Sequence, residues 1–243
     1  MHWDYLAIII FLGAAMPLLG RRRVRLLLQR PETSTRERLR LYASTIAVQW
    51  VIAALLLWRT RAHGVTLADL GLALPYPLLT VAVALGLAAL ILGNQLLALR
   101  MAARLPEDSG AITRQLAARI FPQTTAERSV FFFVVVTVAI CEEIIYRGFL
   151  QYLFGSLTAS LAVGLVLSAA FFSVAHLYQG RRGLITTYVV GFLFGVVRAW
   201  TYSQLPGMAA HFVADIVAGF LLPARIRELS GPGGQGISPA SSA

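Results

Sequence analysis

The chain has 243 residues, 58% of them hydrophobic and 13% charged, with a mean hydropathy of +0.72. A soluble domain averages about 45–50% apolar and about 25% charged, so these values exclude an ordinary soluble fold and leave room for roughly six to eight membrane spans of about 20 residues. The net charge is +10, but the basic residues are arginines lying mostly at the ends of apolar runs, which is topology information and not a nucleic-acid surface. Cys141 is the single cysteine, so an intrachain disulfide and a cysteine-rich metal cluster are excluded; it reads as a small packing residue.

The expected fold is all-α, a polytopic transmembrane helix bundle of about seven spans. The first runs from about Tyr5 to Leu19. Asp4, not a basic cluster, precedes it, and no small-residue cleavage site follows, so it reads as a retained helix. A segment with eight arginines between Arg21 and Arg40 comes next, then a second span from about Leu41 to Trp58. In the mixed stretch 59–77, VTLADLGL is expected to form a short interfacial helix. The third span covers about Leu78 to Leu99. The polar stretch 100–128 contains PEDSGAITRQLAARIF, read as an amphipathic helix on the membrane surface.

The fourth span starts near Ser129, and Gly155-Ser156 suggests a turn. The fifth covers about Leu157 to Leu177, and Gln179 to Gly183 is expected to be a short basic loop. The sixth runs from about Leu184 to Trp200. Pro206-Gly207 leads into the seventh, which ends near Leu222. Residues 1–125 therefore read as N-terminal helices with an amphipathic segment, 126–229 as a further helix bundle, and the Gly/Pro/Ser-rich 230–243 as a disordered tail. No internal repeat is visible, which argues against an inverted-repeat transporter.

The positive-inside rule places residues 21–40 in the cytoplasm and the N-terminus outside. Glu142 then lies well into its span from the inner side, whereas His176 lies at the inner end of its own. Groups that cooperate must share a depth, so either the fourth span starts later and tilts, or part of it lies at the interface.

Glu142, Glu143, His176, His211 and Asp215 sit inside apolar stretches of a chain with only eleven acidic residues and four histidines. An ionisable group at bilayer depth costs roughly 2.5–3.5 kcal/mol on insertion scales and is usually buried, paired and functional. On a helix, Glu143 and Arg147 are spaced i,i+4 in the favourable order, and such a pair cancels both charges. Glu142 points about 100° away and lacks that partner, which suits a general base. The bland alternative pairs both glutamates with arginines that merely hold helices together, Arg198 being the second partner. His176 follows Phe171-Phe172, where a lone imidazole is as compatible with packing as with catalysis. His211 and Asp215 are again i,i+4: the Asp orients the imidazole, the two bind a metal, or both donate to a developing oxyanion if the Asp is protonated. Together, three late helices carry polar groups of catalytic type and the first three spans carry almost none.

At these residues the sequence resembles the CAAX prenyl protease and bacteriocin-processing family, the Rce1-like or Abi intramembrane proteases. Glu142, Glu143 and Arg147 match Glu-Glu-x-x-x-Arg. Phe172 and His176 match Phe-x-x-x-His, and His211 and Asp215 match His-x-x-x-Asn/Asp. The likeness spans about Ala126 to Leu222. Asp215 stands where relatives that process prenylated proteins usually have Asn.

The resemblance implies a multi-pass protein of the cell membrane, bacterial by its composition, that cleaves peptide bonds at or within the bilayer. It implies that Glu142 and His176 activate a water and that His211 and Asp215 stabilise the oxyanion. It also implies a peptide or protein substrate, lipid as the surrounding partner, no nucleic acid and no cofactor. The metal alternative takes His176, His211 and Asp215 as zinc ligands. Two other readings compete: a non-catalytic immunity or partner-stabilising protein of the same fold, and a proton-coupled transporter.

Overall fold

In the computed structural model the chain is described at residues 3–30, 32–102, 115, 118–221 and 223. Among these residues it is an all-α bundle whose β content is a single bridge, Leu72 to Ser203. Helix α1 runs Trp3–Leu28, α2 Thr35–Ala62, α3 Pro77–Ala102, α4 Thr125–Thr158, α5 Leu161–Ala175, α6 Gly180–Thr201 and α7 Leu205–Leu221. Five of them, α1 to α4 and α6 with its preceding turn, are long and apolar enough to cross a membrane; α5 and α7 are shorter apolar helices.

The long helices overrun the expected spans because their charged ends are capped. Ser34 and Glu37 form a reciprocal capping box at the start of α2, and Thr124 and Glu127 form one at the start of α4. In α1, Pro17 cannot donate to the helix ladder, and a π-helical turn at Phe11–Ala15 lies just before it. The arginines after Gly20 continue the helix, where they complement the negative end of its dipole.

Helix α4 is the axis of the fold: 61% of its most apolar window is buried, against 17–22% for the other four long helices. Exposed leucines on α3, such as Leu78 and Leu85, make a lipid-facing surface. On the side of α4 toward α1, α2 and α5, Tyr5, Leu12, Leu56, Tyr146, Phe149 and Phe172 form one buried cluster. Cys141 is fully buried against Ala53 and Ile144, as expected for a packing residue.

Several boundaries differ from expectation. Gly155-Ser156 does not end the fourth helix. The turn comes at Ala159, in the left-handed region, and Ser160 caps α5 by accepting from the Val163 amide. Gly155 instead serves contact: a Cβ on Gly164 of α5 would lie 2.7 Å from the Gln151 carbonyl and 3.2 Å from Gly155 Cα. VTLADLGL is not a helix but a set of turns. Thr66 and Asp69 bond each other's backbone amides, and Gly71 takes a φ of 74°. The QGRRG loop contracts to a 3-10 turn, Leu177–Gln179, and Arg181 and Arg182 begin α6. Most of the segment read as amphipathic and all of the tail 230–243 lie outside the described residues.

The later turn also removes the depth conflict. Helix α4 has 34 residues, about 50 Å at 1.5 Å per residue, so it is longer than the hydrocarbon layer and Glu142 falls near its middle. Helix α5 has only 15 residues. Glu142 and His176 lie almost equally far along the chain from the Ala159-Ser160 turn, so an antiparallel hairpin brings them level.

Candidate active site

The central part of α4 is where the motif widens the helix. Residues Glu143–Leu150 are π-helical, with amides bonding carbonyls five residues back, as Gln151 does to Tyr146. Every residue of this segment is buried. The intended pair survives the widening: Arg147 Nη1 donates to Glu143 Oε1 at 2.9 Å, both side chains being 1% exposed. The guanidinium also lies 4.1 Å from the Phe172 ring centre, a cation–π contact, while its Nε and Nη2 have no hydrogen-bond partner.

His211 is the hub. Its Nδ1 is 3.1 Å from Glu143 Oε1, the same oxygen that accepts from Arg147. Its Nε2 is 3.8 Å from both Glu142 Oε2 and Asp215 Oδ2, near enough for electrostatic attraction and too far for a hydrogen bond. The first turn of α7 reaches this position because residue 207 is glycine: a Cβ there would lie 2.8 Å from Glu143 Oε2.

Glu142 is the carboxylate left over. Its Oε1 accepts from Gln49 of α2 at 2.9 Å, and its buried Oε2 has no hydrogen-bond partner. His176 closes α5. Its Nδ1 is 2.8 Å from the Phe172 carbonyl, which only accepts, so Nδ1 carries the proton and Nε2 keeps the lone pair. Phe172 touches both imidazoles, with ring centres 4.6 Å from His176 and 5.8 Å from His211. Asp215, about a third exposed, has His211, Glu142 and His176 as its electrostatic neighbours. The structure thus gathers Glu142, His176, His211 and Asp215 around one spot, with α4 packed against both α5 and α7.

One expectation needs correction. Arg198 is not the second partner of the glutamates; it donates to the Asp69 carbonyl at the far end of α6. The early spans do add one polar group that the motif does not contain, since Gln49 reaches Glu142. A solitary amide in an apolar run was the available signal, and its helix lies outside the motif-bearing segment. Tyr178 is a further neighbour, its ring 5.9 Å from that of His176.

Among the described residues, no group of three or more His, Cys, Asp or Glu is arranged to hold a metal ion.

Comparison with known proteins covers the same stretch. The family model for type II CAAX prenyl endopeptidase Rce1-like proteins matches residues 124–217, under half of the chain. A relative in Bacillus subtilis (strain 168), the "uncharacterized protein YpbD", is 30% identical over 112 residues, 45% of this chain. The chain thus spans about half (51%) of that relative's length. No solved structure matches. The segment that matches the Rce1-like family model is the one that carries Glu142, Glu143, Arg147, His176, His211 and Asp215.

Proposed function

We propose that this protein is an intramembrane endopeptidase in which Glu142 activates water to cut a peptide bond of a membrane-associated protein or peptide. The observation that carries this is the division between the two adjacent glutamates. Glu143 is consumed by Arg147 and His211, whereas Glu142 keeps a buried oxygen without a partner, 3.8 Å from an imidazole nitrogen. One water between Glu142 Oε2 and His211 Nε2 reaches both. His176 Nε2, with its lone pair free, accepts the second O–H of that water.

As the water oxygen bonds to the scissile carbonyl carbon, Glu142 takes a proton and the carbonyl electrons move to oxygen. His211 gives its Nδ1–H to Glu143, so it offers an Nε2–H to the oxyanion in its imidazolium form. Asp215 is the second donor in its protonated form. Glu142 then returns the proton to the leaving nitrogen as the C–N bond breaks. Arg147 holds Glu143, and Glu143 in turn aims His211. No step is routed through a metal, and nucleic acid plays no part. The setting is the lipid bilayer of a bacterial cell membrane.

The test is a comparison of membrane polypeptides from cells carrying the wild-type chain or Glu142→Gln. The variant should reach normal levels and leave a polypeptide uncut. Purified wild-type protein should cut that polypeptide at least about 100-fold faster than the variant, the scale of a lost general base. Activity should survive exhaustive chelation. Equal cleavage by both proteins would refute the role of Glu142, and loss on chelation with recovery on stoichiometric zinc would make His176, His211 and Asp215 ligands.

A further inference from the structure

Glu142 has a partner outside the matched segment. Gln49 Nε2 donates to Glu142 Oε1 at 2.9 Å across the α2–α4 contact, and Gln49 Oε1 is sealed from solvent without a hydrogen-bond partner. An ionised carboxylate only accepts, so the amide must turn its NH2 toward Glu142. Helix α2 does not depend on this bond to stay on α4. Arg38 pairs with the fully buried Glu127 at 2.9 Å, and Trp50 Nε1 donates to Thr137 Oγ1 at 3.2 Å. Glu142 otherwise faces His211 and Asp215 of α7, Tyr178 of the turn after α5, and Cys141, Glu143, Tyr146 and Arg147 of its own helix. None of these hydrogen-bonds its Oε1. A glutamate side chain has several rotatable bonds, and a site 1 Å out of place loses much of its rate.

We infer that Gln49 is a positioning residue for the peptidase reaction: by clamping Oε1 of Glu142 it leaves Oε2, beside His211, as the oxygen that takes the proton of water. This rests on the peptidase reading above. It assigns a role in the reaction to the N-terminal half of the chain, which the family model does not cover.

The experiment uses the purified full-length protein and a synthetic peptide spanning the cleavage site of the polypeptide left uncut in Glu142→Gln membranes. Gln49→Leu keeps the size and removes the donor. Its turnover should fall roughly 10- to 100-fold with KM changed by less than about twofold, the expected scale of misplacing one reacting group. Gln49→Glu supplies the sharper readout. Two facing carboxyls keep a hydrogen bond only while they hold a proton between them, whereas an amide donates at every pH. Turnover of Gln49→Glu relative to wild type should therefore rise as pH is lowered. Wild-type turnover in Gln49→Leu, or a pH-independent ratio for Gln49→Glu, would overturn the inference.

If the wild-type protein cuts nothing, the peptidase reading fails, and infrared spectroscopy decides on Gln49 alone. The carboxyl band that disappears in Glu142→Gln should shift in Gln49→Leu. An unshifted band shows that the amide does not hold Glu142.

Discussion

Two clusters in this molecule have the same ingredients: one carboxylate, one arginine, one histidine. Asp4 takes Arg59 at 2.8 and 2.5 Å and His63 at 3.1 Å, and Glu143 takes Arg147 at 2.9 Å and His211 at 3.1 Å. The first joins the start of α1 to the end of α2, with Arg59 29% and Asp4 12% exposed. The second is sealed in the bundle at 1%. They differ in what surrounds them. The outer cluster ties two helix ends together where water can reach it. The inner one borders two further carboxyl groups, Glu142 and Asp215, each 3.8 Å from the histidine that the pair holds in place. Residue identity alone therefore does not distinguish a tie from a site. Burial, and an oxygen without a partner next to the tie, do.

The sharpest way to break this comparison is to remove the arginine in each. Arg147→Ala leaves Glu143 charged, buried and bound only to His211, and strips a cation from the Phe172 face. Breaking a buried pair from one side costs about 3–5 kcal/mol, so the folded yield in detergent should collapse. Arg59→Ala at the outer cluster should leave yield and melting temperature close to wild type, because water replaces what the arginine supplied. Equal losses in both variants would mean that burial is not what separates the clusters.

Much of the inner cluster was legible in the sequence, for a physical reason. Ionisable groups in apolar runs stand out because lipid penalises them, and i,i+4 spacing on a helix fixes which of them meet. Glu143–Arg147 and the His211–Asp215 face follow from these two rules. The contact of His211 with Glu143 does not, because it depends on where α7 starts and on a glycine at position 207 that lets the helices close. Gln49 was missed because an uncharged amide is a weak signal against 28 residues of helix, and its partner is 93 positions away. His176 ends α5 as its sequence position indicates; what the sequence does not show is that α4 runs past Gly155 to Thr158, which brings Glu142 level with it, because a glycine at 155 suits close packing as well as a turn. The turns at Thr66–Asp69 are not legible in sequence because apolar spacing over eight residues suits a short helix as well as hydrogen-bonded turns.

A smaller effect sharpens the contrast within the outer cluster. Asp4→Asn keeps the shape and removes the charge that Arg59 and His63 share. Because the asparagine carbonyl still accepts from Arg59, the loss should be smaller than for any substitution of Arg147, and added salt should shrink it further. The measurement is the melting temperature in detergent at low and high salt. A salt-insensitive loss as large as that of Arg147→Ala would show that the outer cluster is as dry as the inner one.

The mildest case is a carboxylate in the loop between α2 and α3. Asp69 accepts from the Thr66 hydroxyl at 2.6 Å and from the Thr66 amide at 2.8 Å. The Thr66 hydroxyl, first, and its amide, second, hold the Asp69 carboxyl below the usual carboxylate range. The loop docks on the turn before α7, where the Gln204 amide donates to the Gly71 carbonyl at 2.8 Å and the Gln204 side chain to that of Leu70. A depressed folded pKa means that the contribution of Asp69 is fully present above the ordinary aspartate value of about 4 and is lost as pH falls through the lower, folded value. Amide exchange in residues 64–76, corrected for the intrinsic rate, should therefore speed up below about pH 4 while α4 stays protected. Thr66→Ala removes the hydroxyl, so the loop should open at a higher pH than in the wild type, still without a change in α4. If α4 loses protection together with the loop, the loop and the buried cluster form one cooperative unit, and the separation between wet and dry carboxylates drawn here does not hold.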